Sequence, residues 1–378
     1  GIFEPTEIQK SMLGHFFGSS KLDLLIKSQP GSGKSLGYII MLLSHYYANI
    51  SNLKREPDGM INCKYLIIVP SELLAKQLVN WLKELSQEKS CNSPIVSALC
   101  ETFETVTETP VCDFLISTPE AFRTKLSQGC VDLRGLEHVV LDEADALIKP
   151  LKRFASARQK EARLKHPVIA MTLLNEMMKT ISANKLFHRP RMIVSSATLN
   201  RLTRDQLISS GIVKDPIFFE DKKPIVTRHE NLNPSESKVQ HFHSLLKDPE
   251  DPNDLVKTLH KIVSSNSEKL GAIFLPAAQS KLGLCELLKS FPEFSKYSIS
   301  LLCNFKPGEN SQNRILIASD VDCRGIDIPQ LEYVIILDLP SAVENYIHMA
   351  GRVGRTGQAS GNVYTILGTV EDLNRFTS

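Results

Sequence analysis

The sequence predicts an α/β protein of two tandem lobes, each built on a parallel sheet, with a cleft between them. Three observations predict it. Short apolar runs alternate with helical patterns along the chain, the signature of βαβ units. A polar stretch rich in Pro, Asn and charge, from Glu220 to Ser235, interrupts that pattern. The length, 378 residues, suffices for two domains of ordinary size. The expected boundaries are 1–221 for the first lobe, 222–235 for a linker and 236–378 for the second lobe.

In the first lobe the apolar runs predict strands at 23–28, 65–69, 114–117, 136–141 and 191–196. In the second they predict strands at 271–276, 297–302, 314–319, 332–337 and 361–366. Ligands of such sheets bind beyond the C-terminal strand ends. One connection is short. Strands 297–302 and 314–319 should be parallel neighbours, and a parallel crossover needs a dozen or more residues, usually with a helix. Phe305-Lys306-Pro307-Gly308-Glu309-Asn310 does not read as helix, so a segment near Cys303–Phe305 is expected to be missing.

Composition narrows the class. With 42% hydrophobic and 23% charged residues the chain reads as soluble and globular. No apolar run reaches the length of a membrane span, so no membrane partner is expected. The formal charge of +2 leaves nucleic-acid binding to local basic surface. Eight cysteines lie far apart without a Cys-x-x-Cys, so neither a zinc site nor a disulfide is expected. The chain begins Gly1-Ile2-Phe3 and reads as the core of a longer protein.

Three constellations carry chemistry. Ser28-Gln29-Pro30-Gly31-Ser32-Gly33-Lys34-Ser35 follows a strand and opens a helix pattern. Gly31 and Gly33 let backbone N–H groups turn toward phosphate around Ser32, and the helix N-terminus adds positive potential. Lys34 offers a point charge to β/γ-phosphates, and Ser35 a hydroxyl to Mg²⁺. Asp142 and Glu143 emerge at the end of strand 136–141. Asp142 suits Mg²⁺, through water, and Glu143 suits orientation of an attacking water. A phosphate cradle with an acidic strand end implies a Mg-dependent nucleoside triphosphatase. In the second lobe, Arg352 and Arg355 each follow a Gly and are spaced to stabilise charge on a transferred phosphoryl group.

With these elements, Asp142-Glu143-Ala144-Asp145 above all, the chain resembles the DEAD-box RNA helicases over nearly its full length. The resemblance implies two RecA-like lobes closing around ATP, Mg²⁺ and single-stranded RNA. It implies that Gln9, in Gly1-Ile2-Phe3-Glu4-Pro5-Thr6-Glu7-Ile8-Gln9, senses adenine. It implies that Ser196-Ala197-Thr198 couples hydrolysis to lobe movement, with Ser196 and Thr198 as the coupling residues. In Ser319-Asp320-Val321-Asp322-Cys323-Arg324-Gly325-Ile326-Asp327 it assigns Asp327 to the ribose and Arg324 and Gly325 to RNA. Thr118 belongs to an RNA-side motif, and Arg352 and Arg355 are the arginine fingers.

The departures are uneven. Nucleotide-side residues are largely kept, apart from Ser28, where the strict loop pattern has Gly, and Pro30. RNA-side residues are altered: Glu72 stands for an arginine, Thr118-Pro119-Glu120-Ala121 for Thr-Pro-Gly-Arg, Ala277-Ala278 for Thr and a basic residue, and Met349 for an arginine. The expected Gly-Gly motif is not visible. Carboxylates at 72 and 120 oppose a phosphate backbone, so weak intrinsic RNA affinity is expected. The alternative is that backbone amides do most of the gripping.

From Asp142 to Ser196 the spacing is longer than the family's usual one. The extra stretch holds Lys149, Lys152, Arg153, Arg158, Lys160, Arg163 and Lys165. It reads either as a surface for structured RNA or a ribonucleoprotein, or as a solvated charged helix. The expected activity is ATP-dependent RNA remodelling in ribosome assembly, with rRNA and proteins of a pre-ribosomal particle as partners. The alternative is a nucleotide-gated clamp with little turnover; a DNA helicase is the third reading. The resemblance leans to the fungal mitochondrial ribosome-assembly branch, and the mitochondrial matrix is favoured over nucleolus or cytoplasm.

Overall fold

The computed structural model describes residues 4–16, 22–50, 60–86, 93–101, 112–151, 155–184, 188–220, 239–305, 312–340, 342–355 and 360–377. The chain divides into two compact units, Gly1–Pro224 and Ile225–Ser378. The linker expected at 222–235 lies outside the described residues. No helix among the described residues is long and apolar enough to cross a membrane.

The first unit runs α1 (Glu7–Phe16), β1 (Leu24–Lys27), α2 (Lys34–Ala48), β2 (Ile61–Asn62), β3 (Tyr65–Ile68), α3 (Glu72–Leu85), β4 (Val96–Leu99), β5 (Phe114–Ser117), α4 (Pro119–Ser127) and β6 (Val131–Asp132). It continues through β7 (His138–Leu141), α5 (Ala144–Ile148), α6 (Ala157–Lys165), α7 (Ile169–Ala183), β8 (Arg191–Ser196), α8 (Arg201–Ser209) and β9 (Ile217–Glu220). Seven strands form one sheet in the order β4-β5-β3-β7-β8-β1-β9, every pair parallel. β2 and β6 form a separate small pair. Parallel strands are covered on both faces and so read as unbroken apolar runs; β3, β5 and β7 are buried at every residue. The core on one face joins Leu66, Ile68, Val139, Leu141 and Val194 to Leu173, Leu174 and Met177 of α7.

This order positions the site. β8 lies between β7 and β1, with Leu24 opposite Ile193 and His138 opposite Arg191. The C-terminal ends of β1, β7 and β8 are therefore neighbours, and Gln29–Gly33, Asp142–Glu143 and Ala197–Thr198 follow them directly. The N-terminal ends are tied by Asp23. Its buried carboxylate accepts from Arg189 Nη1 (3.1 Å) and Nη2 (2.5 Å) and from the amides of Met192 (2.8 Å) and Lys214 (2.7 Å).

The second unit runs β10 (Val239–Leu245), α9 (Pro252–Ser265), β11 (Leu270–Leu275), α10 (Lys281–Ser290), β12 (Ser298–Leu301), β13 (Arg314–Ser319), β14 (Leu331–Leu337), α11 (Val343–Ala350), β15 (Gly361–Leu367) and α12 (Val370–Thr377). Its six strands are all parallel, in the order β10-β15-β14-β11-β13-β12. The connection read as short joins direct neighbours, with Ser298 opposite Arg314. It opens with a 3-10 turn at Leu302–Asn304 and shows no α-helix among its described residues; 306–311 lie outside them. Gly271 is fixed by packing, since a Cβ there would come within 2.0 Å of the Tyr333 ring.

All ten expected strands are present, each within two residues of its expected bounds. Three longer strands, β4, β9 and β10, were not expected from the apolar runs. All three sit at sheet edges, where one side lacks a covering strand. β10, Val-Gln-His-Phe-His-Ser-Leu, is largely exposed and so carries no apolar run to read.

At the N-terminal side of the first sheet, Tyr65 stacks on Phe114 (4.4 Å between centroids, 19°) and His138 lies over Tyr65 (5.6 Å). His45 meets His138 edge-on at 4.7 Å. Lys64 holds Glu137 at 2.9 Å beside them. Burial, then the nearby His45 and Arg191, bring His138 from 6.5 to about 3. The unfolded chain takes up this proton as pH falls through 6.5, whereas the folded chain resists until about 3. The stability from neutral His138 is thus present above 6.5 and lost progressively below it, by about 1.4 kcal/mol per pH unit. Trp81, the sole tryptophan, lies in α3 and reports first-unit unfolding. Its urea midpoint is expected to fall between about pH 7 and pH 5, and to fall less in His138→Phe. Equal falls in both proteins would remove His138 as the cause.

Candidate active site

The first unit assembles its site from three strand ends. After β1 the chain turns through Gly31 (φ 76°) and Gly33 (φ 86°), both left-handed. Glycine is needed at 33 twice over, because a Cβ would also come within 2.4 Å of Gln9 Nε2. Gln9, buried in α1, donates from Nε2 to the Gly33 carbonyl (2.9 Å), and Thr6 Oγ1 donates to the Ser32 carbonyl (2.8 Å). Gln9 Oε1 in turn accepts from the Thr6 amide (2.9 Å). This clamp holds the loop from outside. Lys34 starts α2, is buried, and donates from Nζ to the carbonyls of Ser28 (2.6 Å) and Gln29 (2.8 Å). The Ser32 hydroxyl is buried without a hydrogen-bond partner among the described residues.

Asp142 faces this loop from the end of β7 and is 1% exposed. Its Oδ2 accepts from Ser35 Oγ (3.0 Å) and from Tyr38 Oη (2.8 Å); its Oδ1 accepts from the Glu143 amide (3.1 Å). Glu143 is buried with a left-handed backbone (φ 50°) and caps the start of α5. Burial and the adjacent Glu143 push the Asp142 carboxyl above its ordinary range, against the opposing pull of Tyr38, Ser35 and Lys34. Burial and the Asp142 charge also hold the Tyr38 hydroxyl protonated, so it acts as a donor. Two adjacent buried carboxylates with few positive partners suit a divalent cation.

From the end of β8, Ser196 Oγ donates to Asp145 Oδ1 (2.6 Å) and accepts from the Thr198 amide (3.0 Å). This joins the strand end to the helix that begins after the acidic pair. The Thr198 hydroxyl is buried without a partner among the described residues. Thr118, in contrast, donates to Glu101 Oε1 (2.8 Å), away from the phosphate loop.

In the second unit, Arg352 is buried and donates to the carbonyls of His348 (2.8 Å) and Ile326 (2.6 Å). Arg355 pairs with Asp327 and donates to the Ile326 carbonyl (2.8 Å). Gly325 is left-handed (φ 67°), which turns the chain between Arg324 and Asp327. Arg324 Nη2 donates to Asn345 Oδ1 (2.5 Å), and Asn345 Nδ2 donates to Asp320 Oδ2 (3.1 Å). Asp327, Arg352 and Arg355 are thus gathered around the Ile326 carbonyl and the end of α11.

The family model described as DEAD/DEAH box helicase matches residues 6–206, more than half of the chain. The chain belongs to this family. A second model, the helicase conserved C-terminal domain, matches residues 296–357. The ATP-dependent RNA helicase DBP6 of Kluyveromyces lactis is 26% identical over 372 residues, covering 92% of this chain and 54% of that protein. DBP7 of Vanderwaltozyma polyspora is 27% identical, covering 97% and 56%. This helicase chain therefore spans about half the length of the curated relatives it matches. In fold it is similar to S. cerevisiae Dbp5 bound to RNA and ADP BeF3, with TM-score 0.71, 18% identity, and coverage of 99% and 86%. It is also similar to Mss116p bound to ssRNA and AMP-PNP, with TM-score 0.73, 19% identity, and coverage of 99% and 72%. The two parallel-sheet lobes are those of this helicase fold.

Tyr38 and Glu101 escaped the sequence reading, and Thr6 and Asp145 entered it only inside motifs, without a role of their own. Tyr38 had a signal, because it stands three residues after Ser35 on the same helix face. Glu101 had none, because its bond with Thr118 joins the ends of two separate strands. Tyr38→Phe removes one donor to a buried carboxylate and is expected to lower the Trp81-monitored stability by about 1–2 kcal/mol. An unchanged urea midpoint would deny the hydroxyl a role in holding Asp142.

Proposed function

We propose that this chain is the motor core of an ATP-dependent RNA helicase that remodels a ribonucleoprotein in ribosome assembly. The observation that carries the reading is Asp142, held by Ser35 and Tyr38 of the helix that opens at Gly33-Lys34. The residues fit ATP with Mg²⁺. The loop leaves no room for a Cβ at 33, Ser32 keeps a buried hydroxyl without a partner among the described residues, and burial disfavours the ionised Asp142 until a cation faces it. Mg²⁺, when bound, neutralises charge on the phosphate oxygens.

Ser35 and Asp142 would hold that ion, largely through water. Amides of Gly31, Ser32 and Gly33 receive phosphate oxygens, and Lys34 adds its charge. Glu143 orients the attacking water and accepts its proton. Gln9, which already grips the loop through Gly33, is assigned to adenine and Asp327 to ribose. Arg352 and Arg355 take the arginine role that the resemblance gives them. Ser196 and Thr198, tied to Asp145, relay the state of the acidic pair to β8. On the RNA side stand Thr118, Arg324 and Gly325.

One observation favours the second reading, a nucleotide-gated clamp with little turnover. Thr118 spends its hydroxyl on Glu101. Burial, then Glu72 and Glu101, push the Cys100 thiol up to about 12, which places both carboxylates near the same strand end. Negative charge there weakens a grip on phosphates. The mitochondrial matrix, rRNA and pre-ribosomal proteins remain part of this proposal, to be checked by fractionation and RNA crosslinking of the tagged full-length protein.

The decisive comparison is ATP turnover of the full-length protein and of Glu143→Gln, with and without RNA. The helicase reading expects RNA-stimulated turnover, reduced by roughly 100-fold or more in the variant while ATP binding persists. RNA-independent residual turnover, with cells fully served by Glu143→Gln, would replace it by the clamp.

A further inference from the structure

The segment between α5 and α7 has no part in the nucleotide site, yet it lies at the same end of the first sheet. α5 follows the C-terminal end of β7, and α7 leads back to the N-terminal end of β8, so the described residues 155–168 enter α7 from the Asp142 side. Their helical part is α6, and not one of its residues is buried. At nine residues it is shorter than the ~12–15 at which an isolated helix becomes even marginal in water. Two local devices hold it. Ser156 and Gln159 form a capping box, and Arg163 Nη1 donates to the Lys149 carbonyl (2.8 Å).

Core packing does not explain α6, because it has no apolar face; its one large apolar side chain, Leu164, is 83% exposed. Helix stability does not explain its charges either. Arg163 and Lys165 in the last turn suit the helix dipole, but Arg158 and Lys160 stand in the first turn, where positive charge is unfavourable. Against these four cations α6 carries only Glu161, already paired with Lys165 at 2.8 Å. The cations are spread around the helix instead of forming one stripe, which suits phosphates on a surrounding surface better than a groove that takes one helix face.

We propose that α6 is a second RNA-binding element, which holds the phosphate backbone of structured RNA beside the helicase site. This rests on RNA being the substrate. It supplies on one side of the first unit the positive charge that Glu72, Glu101 and Glu120 deny on another. Arg158 and Lys160 are the pair that the fold itself does not require.

The test uses the full-length protein and its Arg158→Gln/Lys160→Gln variant, with a hairpin RNA carrying a single-stranded tail. Kd is measured over a series of KCl concentrations, and ATP turnover is measured with unstructured RNA. The variant should keep the urea midpoint and the turnover with unstructured RNA. Its slope of log Kd against log salt for the hairpin should be shallower by roughly one to two, at about 0.7–0.9 for each phosphate that the protein no longer neutralises. An unchanged slope, with the unaltered protein binding RNA normally, overturns the α6 assignment alone. Loss of an acidic protein partner with RNA binding intact also overturns it, in favour of a protein surface. If the unaltered protein binds no RNA at any salt, the helicase reading fails first, and α6 with it.

Discussion

The first unit depends on one carboxylate oxygen. Asp142 Oδ2 receives hydroxyls from Ser35 and Tyr38, both on α2, while the carboxylate itself belongs to the end of β7. β1, whose loop opens α2, and β7 are not neighbours; β8 lies between them. The bond therefore closes a ring over the top of three strands and sets the spacing between phosphate loop and acidic pair. A buried carboxylate is costly unless it is hydrogen-bonded. The two hydroxyls meet part of that cost, and the proposed cation would meet more of it.

Around that ring each further bond holds a strand end in place. Gln9 and Thr6 fasten the glycine loop from α1. Ser196 fastens α5 through Asp145. At the opposite end of the sheet, Asp23 gathers Arg189, Met192 and Lys214 and so sets the register of β1 against β8 and β9. In the second unit the Ile326 carbonyl plays a comparable part, because Arg352 and Arg355 both donate to it. Backbone acceptors of their own unit thus help to position both arginines, and Asp327 adds a carboxylate to Arg355.

The proposed nucleotide side and the proposed RNA side of the first unit differ in how their polar groups are partnered. On the proposed nucleotide side Gln9 and Lys34 fasten the glycine loop through its carbonyls, and Ser35 and Tyr38 tie the helix it opens to Asp142. On the proposed RNA side Thr118 is turned to Glu101, Glu72 stands where an arginine was expected and Glu120 where a glycine was. Positive charge appears instead on α6, a helix that contributes nothing to the core. Affinity for a phosphate backbone is set by where positive charge can meet it, and α6 carries four cations against one carboxylate.

The sequence by itself determined the two sheets, ten of their strands, the phosphate loop, the acidic pair and the arginines. These are local signals, because a strand buried on both faces must be apolar throughout and a phosphate loop must be rich in glycine. Edge strand β10 was not legible because it is largely exposed and carries no apolar run, whereas β4 and β9 are short segments that only the sheet pairing identifies. Only the tertiary structure decided that Tyr38 serves Asp142, that Gln9 grips Gly33, and that Glu101 takes the hydroxyl of Thr118. Each of these joins residues far apart in the chain, or selects one hydroxyl among many, and only the strand order brings them within hydrogen-bonding distance. The same holds for α6: its charge could be read from the sequence, but its lack of any buried residue could not.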